Sequence, residues 1–483
     1  RHHALELTRR QLRALALRTD TKAPAERQAL RLQRARLLLA TSQGDGDLRV
    51  IRDLLAPGGL VGDSSDPRVA AAARDLVLDW LMASERHDEA RLWLWRHHGR
   101  TVLTPTWISM AMALHEGDLD EVGRLLERPD GARLPPALQA EALQALGHDG
   151  RAQALRVSWL ELHDDDALHE AHAEVAWARS RRVEFGLEHR RDGLRADVRS
   201  LGLQLPLGER SRLALQARHA SQHGDGLALG QVAAVDREIG ATLQWQPDRA
   251  IDTELSLGAR SAERDFPTAA LTLALRPLGR LQLRASAVLN ARADDSTALA
   301  AAGRRSGVQL EADWRLSTFN PVRLALRSDR LSLQDGTALG RATRLDWQVA
   351  QVLRGAAPDL SLRLFGQYGR YRADAGPLPG WTAALTADAS LPGSGFFVPD
   401  DYALHGIGLS AGLGAREGFS RAWRPFVDAD LTTHSRLGSG WSAGIGAAGR
   451  LFGGDRLMVQ WNATRSGPGG DSRAISVRYL LPF

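Results

Sequence analysis

Apolar and polar positions change their spacing once along this chain, near residue 179. Before that point apolar residues recur at helical spacing, and Leu, Ala and Arg dominate with few β-branched residues. The clearest segment is 69–82, where one wide apolar face, which we expect to be buried, is formed by Val69, Ala72, Leu76, Leu78, Trp80 and Leu81. Gly, Pro and Asp breaks divide residues 1–178 into about ten short helices.

Three turns between these helices share one polar pattern, in which a tight turn precedes an acidic or small helix start. These turns are Glu85–Ala90, Gly117–Val122 and Gly147–Ala152. They resemble the turn inside a tetratricopeptide repeat (TPR), with Ala113 and Leu125 where that repeat packs small against large side chains. We therefore expect residues 1–178 to form a TPR-like α-helical solenoid, with a non-repetitive helical bundle as the alternative. Neither arrangement presents a catalytic constellation.

From Arg181 onward the spacing changes to strict alternation. Val183, Phe185 and Leu187 face one way, while Glu184 and the residues between them face the other. About sixteen such segments follow one another to the C-terminus, an even number, as bacterial outer-membrane barrels require. The chain is thus predicted to be α+β, with the solenoid followed by a 16-stranded antiparallel β-barrel at residues 179–483.

The lengths of the connections support this barrel. If both barrel ends of the chain lie on the periplasmic side, joints after even strands must be short turns, whereas joints after odd strands are free to be long. Six even joints carry turn residues, and the joint after Leu413 is short only if it turns at Ala415–Gly418 and the next strand begins well before Pro425. The long joints fall on the odd side, at 219–233, 292–303 and 373–400. A soluble sandwich or propeller does not require this parity.

The last strand, Ser472–Phe483, is predicted to close the barrel against the strand near Arg181. Ile475, Val477, Tyr479 and Leu481 form its apolar face, which we expect to touch lipid, and the chain stops on the aromatic Phe483. Arg478 is then expected to line the lumen.

Polar residues of both signs occupy the inward phase of the strands. The acids predicted to line a lumen and a polymer path are Glu184, Glu188, Asp252, Glu254, Glu311, Asp313, Asp346, Asp428 and Asp430. Two pairs, Glu311 with Asp313 and Asp428 with Asp430, are the better candidates for a stripe that attracts cations. Alternatively, about half of these charges pair with arginines as a wall brace. Carboxylate pairs also occur in glycosidases and proteases, but no pair stands out here, so we expect no enzyme activity.

The connection at residues 373–400 is long for a barrel with such short turns. Long loops of this kind commonly fold over or into the pore, so we predict a plug or gating loop carrying Pro377, Pro379, Trp381, Phe396 and Phe397. Its aromatic residues either anchor the loop or stack on sugar rings. A surface loop without a function is the alternative.

The composition of the chain argues against several other classes of function. The chain has 483 residues, no cysteine and a formal net charge of +5, and it contains no run of eighteen apolar residues that would suggest a membrane-spanning helix. Its arginines are spread among nearly as many acids, so no nucleic-acid site is expected, and no metal or cofactor site is expected either. The sequence opens at Arg1 without a signal peptide, so we expect the back part of a longer precursor.

Several segments resemble the PelB family, outer-membrane exporters of the Pel exopolysaccharide. The similar segments are Ala90-Arg-Leu-Trp-Leu, Trp107, Ala113-Leu-His-Glu-Gly-Asp, Asp164-Asp-Asp-Ala-Leu-His, Trp423-Arg-Pro-Phe-Val-Asp, Ala448-Gly-Arg-Leu-Phe-Gly-Gly-Asp-Arg-Leu and Tyr479-Leu-Leu-Pro-Phe. The resemblance implies a barrel in outer-membrane lipid, periplasmic repeats, and export of a cationic, partly deacetylated galactosamine polymer. It also implies a PelC-like lipoprotein ring at the periplasmic face and a PelA-like modifying enzyme on the repeats. Exporters of poly-N-acetylglucosamine or cellulose are alternative relatives, and an outer-membrane enzyme or an assembly factor is a further alternative.

Overall fold

The protein is described here by a computed structural model. It describes residues 24–41, 45–62, 64, 66–84, 86–97, 105–163, 166–225, 229–248, 250–355, 358–414, 422–466 and 471–483. The chain forms two compact units, Arg1–Met112 and Ala113–Phe483.

The first unit is helical. Its described helices are α1 (Pro24–Thr41), α2 (Asp45–Leu55), α3 (Pro67–Ala83), α4 (His87–His97) and the start of α5 (Thr106–Glu116). The Asp66 side chain caps α3 by accepting a hydrogen bond of 2.8 Å from the Arg68 amide, and Pro67 occupies the first helical position.

The buried face of α3 differs slightly from the predicted one. Val69, Ala73, Val77 and Leu81 are buried at helical spacing, together with Leu78. The predicted positions Ala72, Leu76 and Trp80 are half-buried and pack at the edge of this core. The buried face therefore lies about one residue further around the helix than predicted. The burial of residues at the edges of a wide apolar stripe is hard to rank from sequence.

The second unit begins with helical hairpins. Its helices are α6 (Leu119–Glu127), α7 (Pro136–Ala145), α8 (Asp149–Leu160) and α9 (Asp166–Arg179), with a short 3-10 turn at Pro129–Arg133. Gly117 and Gly147 end α5 and α7 with φ near +70° and +79°, the left-handed conformation that a helix C-terminus favours in glycine. Ala140 and Ala152 are fully buried where α7 meets α8, which lets these helices approach closely. Within the described residues, every helix is too short or too polar to cross a membrane.

Sixteen antiparallel strands follow and close into one barrel, as the sequence predicts. They are β1 (Arg182–Arg191), β2 (Leu194–Pro206), β3 (Ser211–Gly224), β4 (Val235–Asp248), β5 (Ile251–Ser261), β6 (Asp265–Leu278), β7 (Leu281–Arg292), β8 (Gly303–Ser317), β9 (Asn320–Leu333), β10 (Ala338–Arg354), β11 (Leu360–Ala373), β12 (Tyr402–Ala411), β13 (Arg424–His434), β14 (Gly438–Gly449), β15 (Arg456–Ser466) and β16 (Asp471–Pro482).

The first and last strands form the seam of the barrel. Phe185 pairs with Tyr479, and the Phe483 amide donates a hydrogen bond of 2.9 Å to the Arg181 carbonyl. Phe185 and Leu187 are exposed on the outer face, so Tyr479 also faces outward, and its hydroxyl donates a hydrogen bond of 2.9 Å to Asp455. Arg478 faces inward, where it contacts Glu184. Closure leaves neither strand with an unpaired edge.

The two ends of the barrel differ in their connections. After six of the seven even-numbered strands the joints are short, at 207–210, 249–250, 279–280, 318–319, 355–359 and 450–455; we call this the turn end. The seventh joint, 412–423, is longer than the sequence predicts, because β13 begins only at Arg424. At the opposite, loop end, three joints are long: 225–234, 293–302, which contains α10 (Thr297–Ala302), and 374–401. The predicted turn Ala415–Gly418 lies outside the described residues.

At the turn end, the α5–α6 turn rests directly on the β6–β7 turn. A Cβ atom added at Gly279 would lie 2.2 Å from the Glu116 carbonyl oxygen and 2.4 Å from the Gly117 Cα atom. Nearby, the His115 Nε2 atom lies 3.4 Å from the Thr318 hydroxyl. Because both backbones approach so closely, this contact tolerates glycine alone at position 279.

This close approach makes a testable prediction. Since the chain has no cysteine, the pair H115C/T318C would report docking through its own disulfide. We expect G279A to slow disulfide formation about tenfold, equivalent to about 1.4 kcal/mol of docking free energy. Non-reducing gel electrophoresis measures the rate. G355A is the matched control, because a Cβ atom at this other turn-end glycine meets nothing within 4 Å. Equal rates in G279A and G355A would contradict the contact.

Candidate functional site

The inner wall of the barrel carries all nine carboxylates proposed from the sequence. Their register places them opposite to the exposed apolar residues of the same strands, such as Leu187, Leu310 and Val427. The nine are Glu184, Glu188, Asp252, Glu254, Glu311, Asp313, Asp346, Asp428 and Asp430. Their role as a polymer path remains a prediction.

Arginines bridge both acid pairs that the sequence favours as a cation-attracting stripe. The Arg363 guanidinium binds Asp428 in bidentate fashion, at 2.7 and 2.9 Å, and also contacts Asp430 at 2.5 Å. Glu311 lies 2.9 Å from both Arg284 and Arg323. These two pairs therefore present little free negative charge to the lumen.

Other wall acids are paired as well. Glu184 contacts Arg478 at 3.1 Å, and Asp346 contacts Arg344 at 3.0 Å. In the described part of the chain, no arginine lies within 4 Å of the carboxylates of Glu188, Asp252 or Glu254. These three of the nine acids are therefore available to a ligand. The wall brace is thus more extensive than the half expected.

Uncharged polar pairs complete the wall between neighbouring strands. Hydroxyl pairs join Thr242 to Ser256 at 2.8 Å and Ser361 to Ser410 at 2.7 Å. Near the turn end the wall is open to water, since the side chains of Arg323 and Arg478 are 55% and 56% exposed. This half of the lumen is therefore a hydrated, polar passage.

An apolar plug fills the loop end of the lumen. It is built from the three long joints and from the inward residues at the ends of β2, β9 and β10, and Phe397 at its centre is 0% exposed. Its buried members are Leu194, Leu229, Ala293, Ala298, Leu299, Ala301, Ala302, Leu331, Leu333, Leu339, Ala342, Leu385, Phe397 and Val398. We call this cluster the plug core.

Hydrogen bonds tie the long joint at 374–401 to its neighbours. The Ser296 hydroxyl donates to the Phe397 carbonyl at 2.6 Å, and the Gly230 amide donates to the Leu385 carbonyl at 2.9 Å. The Trp381 indole donates to Asp335 at 2.8 Å, in the β9–β10 turn. Burial alone would raise the pKa of Asp335, but hydrogen bonds from Thr337 and Trp381 outweigh it and hold this pKa below its usual range.

The five predicted loop residues have different places in this plug. Phe397 is fully buried, while Trp381 and Phe396 pack half-buried against the plug core. Pro379 precedes a short 3-10 helix at Gly380–Leu385, and Pro377 is exposed. In this closed arrangement Phe397 anchors the loop and has no face available to a sugar ring.

A layer of buried charges lies beneath the plug core. Asp236, with no exposed side-chain surface, contacts Arg260 at 3.0 Å, Arg292 at 2.7 Å and Arg218 at 3.3 Å. Arg260 is 1% exposed and also donates to the Ala300 carbonyl of α10 at 3.1 Å. One carboxylate thus holds three guanidiniums from three strands and fixes α10 above them.

A second group of the same layer secures the start of the 293–302 joint. Asp329 contacts Arg305 at 3.3 Å and Arg327 at 2.7 Å. Asp295 binds Arg327 and accepts a hydrogen bond of 2.9 Å from the Tyr371 hydroxyl. Sequence reasoning assigned none of these acids to a plug. The one available signal was the apolar run Ala298–Ala302 inside a loop, which indicates burial.

The wall of the turn-end half is thus mainly polar, with one small apolar cluster of Phe426, Ala448 and Met458, whereas the plug core fills the loop end. Some charged residues of the turn-end half are well exposed, such as Arg323 and Arg478, whereas the Asp236 and Asp329 groups are buried under the plug core. Among the described residues, no group of three His, Asp or Glu side chains is arranged to hold a metal ion. The arrangement suits a gated passage.

The sequence profile of the family described as "PelB, C-terminal beta barrel domain" matches residues 131–481. The chain belongs to the PelB barrel family. The match spans α7–α9 together with the barrel, and it confirms the resemblance drawn from the sequence. A closed barrel of sixteen strands with an apolar outer face places this PelB-family chain in the outer membrane.

Solved structures similar to this PelB-family chain are barrels of low sequence identity. A "bacterial polysaccharide outer membrane secretin" has a TM-score of 0.47 at 10% identity, covering 63% of this chain and 99% of that one. OccK11 from Pseudomonas aeruginosa has a TM-score of 0.37 at 10% identity, covering 63% and 95%. CdiB from Acinetobacter baumannii has a TM-score of 0.37 at 12% identity, covering 62% and 60%. Such values are no basis for assigning a function. No match was found among proteins of curated function.

Proposed function

We propose that this barrel is a gated outer-membrane pore through which an exopolysaccharide leaves the cell. The observation that carries the proposal is a polar, water-accessible lumen that ends at a folded plug. Membership of the PelB family supports a polysaccharide as the cargo. The turn end faces the periplasm and the loop end faces the outside, as the lengths of the joints favour.

The wall of the open half suits a hydrated sugar chain. Hydroxyl and amide side chains offer hydrogen bonds to sugar hydroxyls, as in the Thr242–Ser256 pair and at Gln244. Because most wall carboxylates are neutralised by arginines, a long polymer meets many weak contacts instead of a few strong ones. Conduction requires such weak and repeated binding. The passage needs no catalytic group, so the proposed role is transport.

Family membership also supports a finer proposal about the cargo. The polymer would be Pel-type, a cationic and partly deacetylated galactosamine chain, and Glu188, Asp252 and Glu254 would be the wall acids that meet its amines. Poly-N-acetylglucosamine and cellulose are the alternative cargoes. The helices would be TPR-like repeats that dock a PelA-like modifying enzyme, and the turn end would meet a PelC-like lipoprotein ring.

Tying the plug to the barrel wall tests this function. The Trp381 indole and Asp335 are in contact, and the chain has no cysteine, so D335C/W381C built into the native gene can be bridged on living cells by a short bismaleimide. We expect polymer secretion to fall at least about tenfold after bridging, because the long joint can then no longer leave the lumen. Amino sugar released into the medium is the measurement.

Each single-cysteine variant receives the same reagent as a control, and secretion by both should stay at the untreated level. The unbridged double variant should also secrete. If a fully bridged barrel secretes polymer at the native rate, then the polymer does not pass the plug and the proposal is wrong.

A further inference from the structure

Arginines form a row on the outer face of the barrel at its loop end. In the strand register, Arg341 of β10 lies directly between Arg330 of β9 and Arg372 of β11. Arg370 lies two residues from Arg372 on the same face, and all four side chains are exposed. Neighbouring strands are about 4.8 Å apart, so four guanidiniums share one small surface. We call these four residues the arginine row.

Among the described residues, no carboxylate pairs with the arginine row. None of its four guanidiniums forms an ion pair with a carboxylate among the residues that the structure describes. Like charges directly opposite each other on a sheet are destabilising. A folded barrel that keeps three arginines in line across three strands therefore gains from an anion bound outside.

The arginine row also has a defined position along the membrane normal. On β9 the apolar outer residues end at Leu326, which lies four residues, roughly 13 Å, before Arg330. On β11 the exposed Tyr368 precedes Arg370 by two residues, and Trp347 of β10 packs near it around His405. Aromatic residues mark the interface between lipid tails and headgroups. The arginine row thus lies just beyond that interface, at headgroup level.

We propose that the arginine row binds the phosphate groups of a phosphorylated glycolipid in the outer leaflet. Guanidinium groups bind phosphate through paired hydrogen bonds, and three in line match a headgroup with more than one phosphate. The lipid supplies the missing counter-charge and holds the β9–β11 wall, which borders the plug core through Leu331 and Leu339. This inference rests on the proposed orientation of the loop end, but not on the cargo.

A second basic row on the same face provides a matched comparison. Arg473, Arg191 and Arg195 face one another across β16, β1 and β2. There, Arg473 lies 3.9 Å from Asp471, and Asp197 pairs with His189 nearby, so that row already has carboxylates beside it.

The test is binding of lipid A, a diglucosamine lipid with two phosphates, to the purified chain in neutral detergent, followed by native mass spectrometry. We expect R341Q/R372Q to weaken binding of the first lipid A molecule roughly 25-fold, at about fivefold for each arginine near an anionic headgroup. R191Q/R195Q should weaken it less than about threefold. Heat-modifiability on gels checks that each variant is folded.

Lipid A without its phosphates, and phosphatidylglycerol with one, are the comparison lipids, and both should bind the native chain weakly. Three outcomes would overturn the proposal: native binding retained by R341Q/R372Q, an equal loss in R191Q/R195Q, or equal affinity for phosphatidylglycerol. The first outcome would show that the arginine row is not the binding site. Either of the others would show only a general attraction between a basic protein and anionic lipid.

Discussion

A barrel carrying Phe397→Asp is expected to conduct ions almost continuously, where the native barrel stays closed. Phe397 has no exposed surface at the centre of the plug core, so the new carboxylate would be buried without a partner. Taking the loss as about 4 kcal/mol, the ratio of open to closed barrels rises about a thousandfold. The strand ladder is untouched, so the plug leaves the lumen while the barrel remains folded.

Single-channel recording in planar bilayers measures this change. Leu391→Asp is the matched control, because Leu391 lies in the same joint and is 64% exposed. It should be as silent as the native barrel. If F397D is folded by heat-modifiability and still silent, then the plug core does not close the pore.

Asp236→Asn is expected to lower the free energy of unfolding by about 3–5 kcal/mol, the cost of breaking a buried ion pair by removing one partner. Arg218, Arg260 and Arg292 would keep their positive charges, and the closest remaining carboxylate to Arg292 would be Glu238 at 3.6 Å. Urea unfolding followed by heat-modifiability gives the difference.

Two further variants separate this effect from a general loss of wall charge. Asp252→Asn removes an acid of the same inner wall that takes part in no such cluster, and it should change stability by less than about 1 kcal/mol. Adding R260Q to D236N should restore part of the loss, since one unpaired guanidinium is removed. Equal effects of D236N and D252N would rule out the buried cluster as a stabilising element.

Much of the barrel could be predicted from the sequence because its determinants are local. A two-residue period assigns Val183 and Phe185 to one face and Glu184 to the other, whatever the neighbouring strand is. Short turns such as 279–280 need particular residues within a few positions. Outer-face residues such as Trp245 and Trp314 also follow from this period, and both are about half exposed as lipid-facing residues should be.

The plug could not be predicted in the same detail. Strand phase tells on which side of the sheet a side chain lies, but not which other residues cover it. Asp236 and Asp252 both point inward, yet Asp236 is fully buried beneath α10 and Asp252 lies in the open half. The partners of Asp236 come from β3, β5 and β7, and no sequence spacing links them. For the same reason, the sequence does not show that Asp428 and Asp430 are paired. Only the strand register brings Arg363 into contact with both.

The seam between β1 and β16 sets the order in which this barrel can fold. Ten residue pairs join strands that are nearly the whole barrel apart in the chain, so their pairing needs all the intervening strands to be in place. Any chain truncated before Asp471 would keep two long unpaired edges and be prone to aggregate. Membrane insertion is therefore expected to be all-or-none and to be completed only when β16 pairs with β1.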